Sequence, residues 1–465
     1  MRLLFAPVCL FLATGGWAQE PPPSNPPQRP PISPQETPDT SEQQSSEYEG
    51  PAILSRGGAA TVVKGTELLL LRPYVAVSGV YDSGLGTVSV DQQGHAVVAD
   101  SFGEEVRLGV TGRHNWKKTE IDLDYRGSLR HYSRSSYYDG MDNSLMLTLR
   151  HEASRRVRLE LEETAGRYEY SSFMPYNLGS YYNPMTSGLT STEMFNTPTE
   201  VLMSSARMTY QRTSRLSFGM GGTGFVVRRR SQALIGAEGY VVTGDVAYRL
   251  SRYQTIGLDY TFGHFNFTHQ FGSSDFHGVA FDYAARIGKH WEFGLRAGGF
   301  RVEASRLTEA SVDPAIAAIL GQTTVIEVFH RVLYAPHYEG HLTRGSRHGS
   351  WSLSYVRTIM PGNGVYLTSG YDTAQTIYSY SGLSKVALQC RFGYYGLSSV
   401  SQTIGRYRGV TGGGGATVRL TRGMSLAAQI DGRRYDANGT ALRRTAYRAS
   451  LGLVWSPGER PLAIW

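Results

Sequence analysis

The residues best equipped for chemistry in this chain are arginines and carboxylates set at two-residue spacing. Arg107, Arg113, Arg126, Arg158, Arg207, Arg286, Arg296, Arg391, Arg419, Arg433 and Arg448 alternate with apolar neighbours. So do Glu120, Asp122, Asp124, Glu160, Glu162, Asp245, Asp259, Asp282, Glu292 and Asp431. Fixed charges on one face of a wall can set the field along a wet passage. They can also pair across neighbouring strands and stiffen the wall. The two sets are nearly equal in size, so pairing should claim most of them. Arg113 with Glu120, across a turn at Trp116, is a specific candidate pair. The arginines left over would favour anionic solutes.

Other chemistries find less to work with. GMGGTG (Gly219 to Gly224) matches a phosphate-cradle spacing, but FVVRRR follows it and no helix begins there. Glycines that lighten or bend a strand are the better reading. His337 and His341 share a strand face and lie about 13 Å apart, too far to hold one metal. They read as residues of a lumen or its rim. The chain has no HExxH and no nucleophile elbow. No catalytic residue, metal or cofactor is expected, and the chain reads as a non-enzyme.

Strands must carry those charges. In TEIDLDYRG, Ile121, Leu123 and Tyr125 oppose Glu120, Asp122, Asp124 and Arg126. VRLELEE, IGLDYTF and VAFDYAARI repeat the pattern at residues 157, 256 and 279. Period two means strands with one oily and one polar face. A soluble sandwich would show shorter strands and two-residue turns. A heavily charged polar face opposite a broad, aromatic oily one fits an all-β, antiparallel, up-and-down transmembrane barrel. Plentiful Gly (54) and Tyr (30) with only 18% charged residues agree with that class.

Short basic turns recur at Lys118, Arg156, Arg215, Arg252, Lys289, Arg347, Lys385 and Arg422. The spacing suits hairpins of two long strands, and two wider gaps imply longer loops. With a first hairpin from Arg72 this predicts eighteen strands, an even count as a barrel needs. Sixteen stays open because Thr323 to Tyr380 is the least periodic stretch. SVDPAIAAILGQ (Ser311 to Gln322) reads as a short helix capped by Asp313 and Pro314 and ended by Gly321. Its apolar face would bury at the pore mouth as a constriction. The tyrosines suit interfacial girdles. Tyr132, Tyr137, Tyr138, Tyr170, Tyr181 and Tyr182 are the best placed to stack on sugars from outer loops. Cys390, in phase with Leu388 and Phe392, should face lipid or a neighbouring barrel.

Before the barrel, residues 1–18 read as a secretory signal cleaved near Ala18 after Sec-type export. Residues 19–50 are a Pro-rich, disordered periplasmic linker. Residues 51–71 form a pre-barrel segment at the periplasmic mouth or in the lumen, and 72–465 form the barrel. Export and the absence of a basic-aromatic module argue against nucleic acid as a partner, and the net charge of +7 is modest for this length.

Tyr447, Leu451, Leu453 and Trp455 form an oily closing phase, and the chain stops on Trp465. This resembles the C-terminal signature of bacterial outer-membrane β-barrels, porin-like proteins whose last strand is read by the barrel-assembly machinery. Here Ser456-Pro457-Gly458-Glu459 intervenes, so either Trp455 or Trp465 could be the residue read. GPAILSRG, DPAIAAILGQ, MPGNGVYLTS and WSPGERPL are similar to segments of uncharacterised barrels loosely linked with exopolysaccharide export. The resemblance implies an outer-membrane location, with outer-membrane lipid and the assembly machinery as partners. A porin-like channel with a mixed-charge, arginine-rich lumen is the leading expectation. The alternatives are a conduit for an exopolysaccharide, with a periplasmic export partner, and a plugged barrel presenting Tyr-rich loops for adhesion.

Overall fold

A computed structural model of the chain describes residues 68–90, 96–133, 139–169, 198–231, 234–268, 272–311, 324–400, 405–421, 423–437, 443–457 and 460–463. Among these, all regular structure is strand. In chain order the strands are β1 (Leu68–Val90), β2 (Ala96–Asn115), β3 (Thr119–Tyr132), β4 (Gly140–His151), β5 (Val157–Tyr168) and β6 (Thr199–Gln211). Next come β7 (Leu216–Arg229), β8 (Gly236–Arg249), β9 (Gln254–Thr268), β10 (Gly272–Ile287), β11 (Trp291–Ser311) and β12 (Thr324–Ser346). The last are β13 (Gly349–Met360), β14 (Ser369–Tyr380), β15 (Val386–Ser399), β16 (Arg406–Arg419), β17 (Met424–Ala437), β18 (Arg443–Trp455) and the short β19 (Arg460–Ala463).

Each strand pairs antiparallel with its sequence neighbours, and β18 pairs with β1 from Val75↔Trp455 to Asp82↔Arg448. β19 extends that seam by pairing Leu68–Leu71 with residues 460–463. The result is a closed barrel of eighteen long strands, with β19 continuing the eighteenth. Closure pairs the strands on both sides around the wall, while β1–β2 and β11–β12 extend beyond it as two-stranded hairpins. The sixteen-strand alternative is ruled out because residues 324–380 supply three strands, β12 paired with β13 over Tyr338–Ser346 and β13 with β14 along its whole length. β1 opens at Leu68, four residues before the expected start at Arg72.

The oily phase points outward. Val77, Leu161, Met220, Leu258, Phe281, Phe392, Ile430 and Leu451 are all exposed on the outer face. Exposed apolar side chains on strand after strand are a surface for hydrocarbon. Cys390 is exposed beside Leu388 and Phe392, on the expected oily phase.

One end of the barrel carries the β18–β1 seam's outer limit and eight short turns, and is called the turn end. The other carries nine connections and is called the loop end. The predicted basic residues sit in the turns, apart from Arg422, which lies outside the described residues. Their local sequence explains the turn shape. Ser154, Thr213 and Thr421 each accept the backbone N–H three residues on, at 3.1, 3.0 and 3.1 Å. Such a side-chain acceptor closes a turn without a helix or a further strand bond.

Candidate functional site: the barrel interior

At the loop end, one connection among the described residues enters the interior. Residues 361–368, between β13 and β14, turn inward, and Asn363 and Thr368 are 1% and 0% exposed. The sequence PGNGVYLT shows why. Asn363 Oδ1 accepts N–H bonds from Val365 (3.3 Å) and Tyr366 (3.1 Å), forming a tight side-chain-closed turn. Gly362 (φ 78°) and Gly364 (φ 89°) take left-handed backbone that a side chain resists. A Cβ on Gly362 would lie 1.6 Å from Tyr366 O.

The inserted segment is tied to well-separated walls. Ile235 N–H donates to Gly364 O at 3.1 Å, and Val400 N–H donates to Thr368 O at 2.8 Å. The Ser274 and Thr368 hydroxyls are hydrogen-bonded. The segment therefore touches the β7–β8 connection, β10 and the end of β15. A satisfied backbone is what allows a loop to be buried.

Two aromatic arcs pack around it. Phe225, Phe265, Phe276 and Phe300 run edge to edge across the wall, with ring centroids 5.6, 5.1 and 5.3 Å apart. Across the lumen Tyr366 meets Tyr407 at 6.2 Å, and Tyr407 meets Tyr395 and Tyr435 at 5.8 and 5.7 Å. Arg433 Nε donates to Tyr395 Oη at 2.8 Å and its terminal nitrogen to Tyr407 Oη at 3.0 Å. Its guanidinium also lies 5.0 Å from the Tyr435 ring centre. Arg433 is thus a buried structural cation, rather than one facing water.

The rest of the interior is a belt of ion pairs. Arg296 is a hub, 2.7 Å from Asp282, 2.8 Å from Glu339 and 3.2 Å from Asp259. Arg150 is a second, 2.9 Å from Glu120, 3.0 Å from Glu160 and 3.3 Å from Asp122. Arg113 reaches Asp122 at 2.6 Å and the expected Glu120 at 3.5 Å. Arg126 meets Asp124 at 2.6 Å, Arg158 meets Glu152 at 3.1 Å and Arg286 meets Glu292 at 2.5 Å. Two of the pairs that reach over an intervening strand do so across a glycine. Arg207 on β6 reaches Asp245 on β8 at 2.8 Å, and Arg391 on β15 pairs with Asp431 on β17. Each crosses a bare glycine of the strand between, Gly219 or Gly413, where a Cβ would lie 2.1 or 2.0 Å from the carboxylate. Arg419 instead donates to Ser384 O at 2.7 Å near the turn end.

At the seam the pairing is deepest. Arg448 lies 3.0 Å from Glu105, which also accepts from Arg107 at 2.7 Å. Tyr132 Oη donates to Asp82, and Arg130 pairs with Asp142. Tyr132 is therefore an interior residue at 2% exposure, which corrects its expected role as a loop platform for sugars. Tyr137, Tyr138, Tyr170, Tyr181 and Tyr182 lie outside the described residues.

Arg130, Arg150, Glu105 and Glu339 belong to these networks although the sequence pattern does not single them out. Arg150 is the most legible of them, since LMLTLR alternates as plainly as its neighbours. Segment 361–368 carries one readable sign: Val365-Tyr366-Leu367 is too apolar for a solvated loop. The constriction expected from residues 311–322 cannot be placed, because Ser311 ends β11 and the remainder lies outside the described residues. His337 Nδ1 donates to Arg357 O at 2.9 Å and its ring packs on Phe300, while His341 lies over Gly294. No cluster among the described residues could hold a metal ion.

Fold and interior together define a closed β-barrel with an apolar exterior, a charged belt and a partly filled loop end. No family model matches the chain. No curated protein matches it. Among solved structures it is similar to Pseudomonas aeruginosa OccK2 (OpdF), with 12% identity over 84% of this chain and 99% of that one and a TM-score of 0.41. The outer membrane protein opdK from Pseudomonas aeruginosa is 12% identical over 83% and 99%, with a TM-score of 0.39. A BenF-like porin from Pseudomonas fluorescens is 9% identical over 85% and 99%, with a TM-score of 0.40.

Proposed function

We propose that the protein is an outer-membrane channel of porin type, passing small hydrophilic solutes along a mixed-charge lumen. The observation that carries this reading is the division of the eighteen strands into an oily outer and a charged inner face. An eighteen-stranded wall is wide enough to keep water inside. The hydrogen bonds of segment 361–368 go to the β7–β8 connection, β10 and the end of β15, so it narrows that part of the mouth. Those bonds tie it to walls other than β1–β6, which favours a water path along the β1–β6 wall, past Arg113, Arg126 and Arg150. Most of the lumen arginines have a carboxylate partner, so the field is one of alternating sign with a modest preference for anions.

A polysaccharide conduit needs an aromatic track for sugars. The interior tyrosines best suited to it, Tyr395, Tyr407 and Tyr435, are occupied by each other and by Arg433, which favours the channel.

The test is conductance of the refolded chain in a planar bilayer, with and without an acidic oligosaccharide. Open steps indifferent to the sugar support the channel. Steps blocked by the sugar from one side support the conduit. A folded barrel with no steps overturns both and leaves the loops as the acting surface.

A further inference from the structure

Arg344 stands on the outer face of β12 with no carboxylate partner among the described residues. Its phase is that of Tyr334 and Tyr338, which are exposed on the oily surface. In register it lies between Trp291 on β11 and Trp351 on β13. Its guanidinium sits 5.2 Å from the Trp291 ring centre, and the two indoles meet edge to face at 6.0 Å. The nearest acid on these strand ends, Glu292, points inward to Arg286 at 2.5 Å.

An arginine on a lipid-facing wall is costly at mid-membrane and nearly free at the interface. Arg344 is two residues from the end of its strand, at the depth where indoles prefer to sit. The adjoining turns add Lys289, His290, Arg347 and His348. Around the same end, Trp116, Leu250, Tyr253, Leu383 and Leu420 are exposed at turn positions beside lysines and arginines. Apolar tips interleaved with cations suit a headgroup layer and are poorly suited to bulk water.

We propose that Arg344, flanked by Trp291 and Trp351, binds the phosphate of an anionic phospholipid in the leaflet at the turn end. The planar guanidinium offers paired donors to phosphate oxygens. The indoles flank the glycerol backbone, and the surrounding cations favour a lipid with net negative charge. This rests on the membrane reading above, but not on the barrel conducting.

The full chain, refolded in mixed micelles of phosphatidylglycerol and phosphatidylcholine, is examined by native mass spectrometry for retained lipid. The wild type is expected to retain phosphatidylglycerol preferentially. Arg344→Gln is expected to cut that preference about fivefold, the size of one cation's contact with an anionic leaflet. Arg347→Gln on the neighbouring turn should cut it less. Should Arg344→Gln not fold, Arg344→Lys, which keeps charge but loses the planar fork, is expected to cut it about twofold. Equal retention of both lipids, or no change in either Arg344 variant, overturns the proposal. So does displacement of the lipid by inorganic phosphate, which would make this a free-anion site. A barrel with the lipid preference and no conductance removes the channel reading alone. A conducting barrel without the preference removes this one alone.

Discussion

Arg391 and Asp431 form an ion pair across a strand to which neither belongs, over the bare backbone of Gly413. Registers Arg391↔Gly413 and Gly413↔Asp431 place the three in one row on the inner face. Arg207 and Asp245 do the same across β7, over Gly219 and Gly221. In both places a glycine facing the lumen lets charge partners meet two strands apart.

Gly413→Val should therefore break the Arg391–Asp431 pair. Both partners are largely shielded, at 17% and 11% exposure, so the loss is about 3 kcal/mol. Gly412→Val, one residue away and facing out, puts a Cβ in ordinary contact with Phe392 at 3.7 Å and Arg391 O at 4.0 Å and should be close to neutral. Urea unfolding midpoints of the two variants in detergent check the difference. Equal midpoints would reject the space-for-pairing account.

Gly362→Ala should dislodge the inserted segment, since a Cβ there lies 1.6 Å from Tyr366 O on a left-handed backbone. The expected result is a wider or noisier open level in single-channel recordings, with the barrel still folded. Deleting residues 362–367 should raise conductance further. An unchanged open level in both variants would show that the segment does not limit flow.

Arg296→Met leaves Asp259, Asp282 and Glu339 facing one another without their shared cation. The cost is about 2 kcal/mol, below that of a fully buried pair because Arg296 keeps 38% exposure. Removing one positive charge from the lumen should also move the reversal potential in a salt gradient toward cation preference. An unchanged reversal potential would place Arg296 off the conduction path.

Cys390 should resist a water-soluble maleimide in the bilayer-inserted barrel and react with a lipid-soluble one. It lies on the outer face between Leu388 and Phe392, both 41% exposed or more. Fast labelling by the water-soluble reagent would reverse the phase of β15.

Much of this protein is legible in its amino-acid order. Alternation in TEIDLDYRG or IGLDYTF is a local property of each strand, and it sorts side chains to two faces without reference to partners. The regular basic turns set the strand count for the same reason. One short turn joins the strands of Arg113 and Glu120, so that pair can be expected from sequence; it is met at 3.5 Å, but register gives Arg113 its closer partner, Asp122, at 2.6 Å. Relationships between distant chain segments have no such local signal. Arg448 meets Glu105 only because the sheet closes on itself, which brings residues 343 apart in sequence into contact. The Arg296 hub needs four strands in a definite register. Segment 361–368 lies inside because the closed wall leaves a void lined by Phe265, Phe276 and Tyr407, into which Val365-Tyr366-Leu367 can be withdrawn from water. Local periodicity specifies a face. Which side chains share the enclosed space is settled by closure and register, and these belong to the whole barrel.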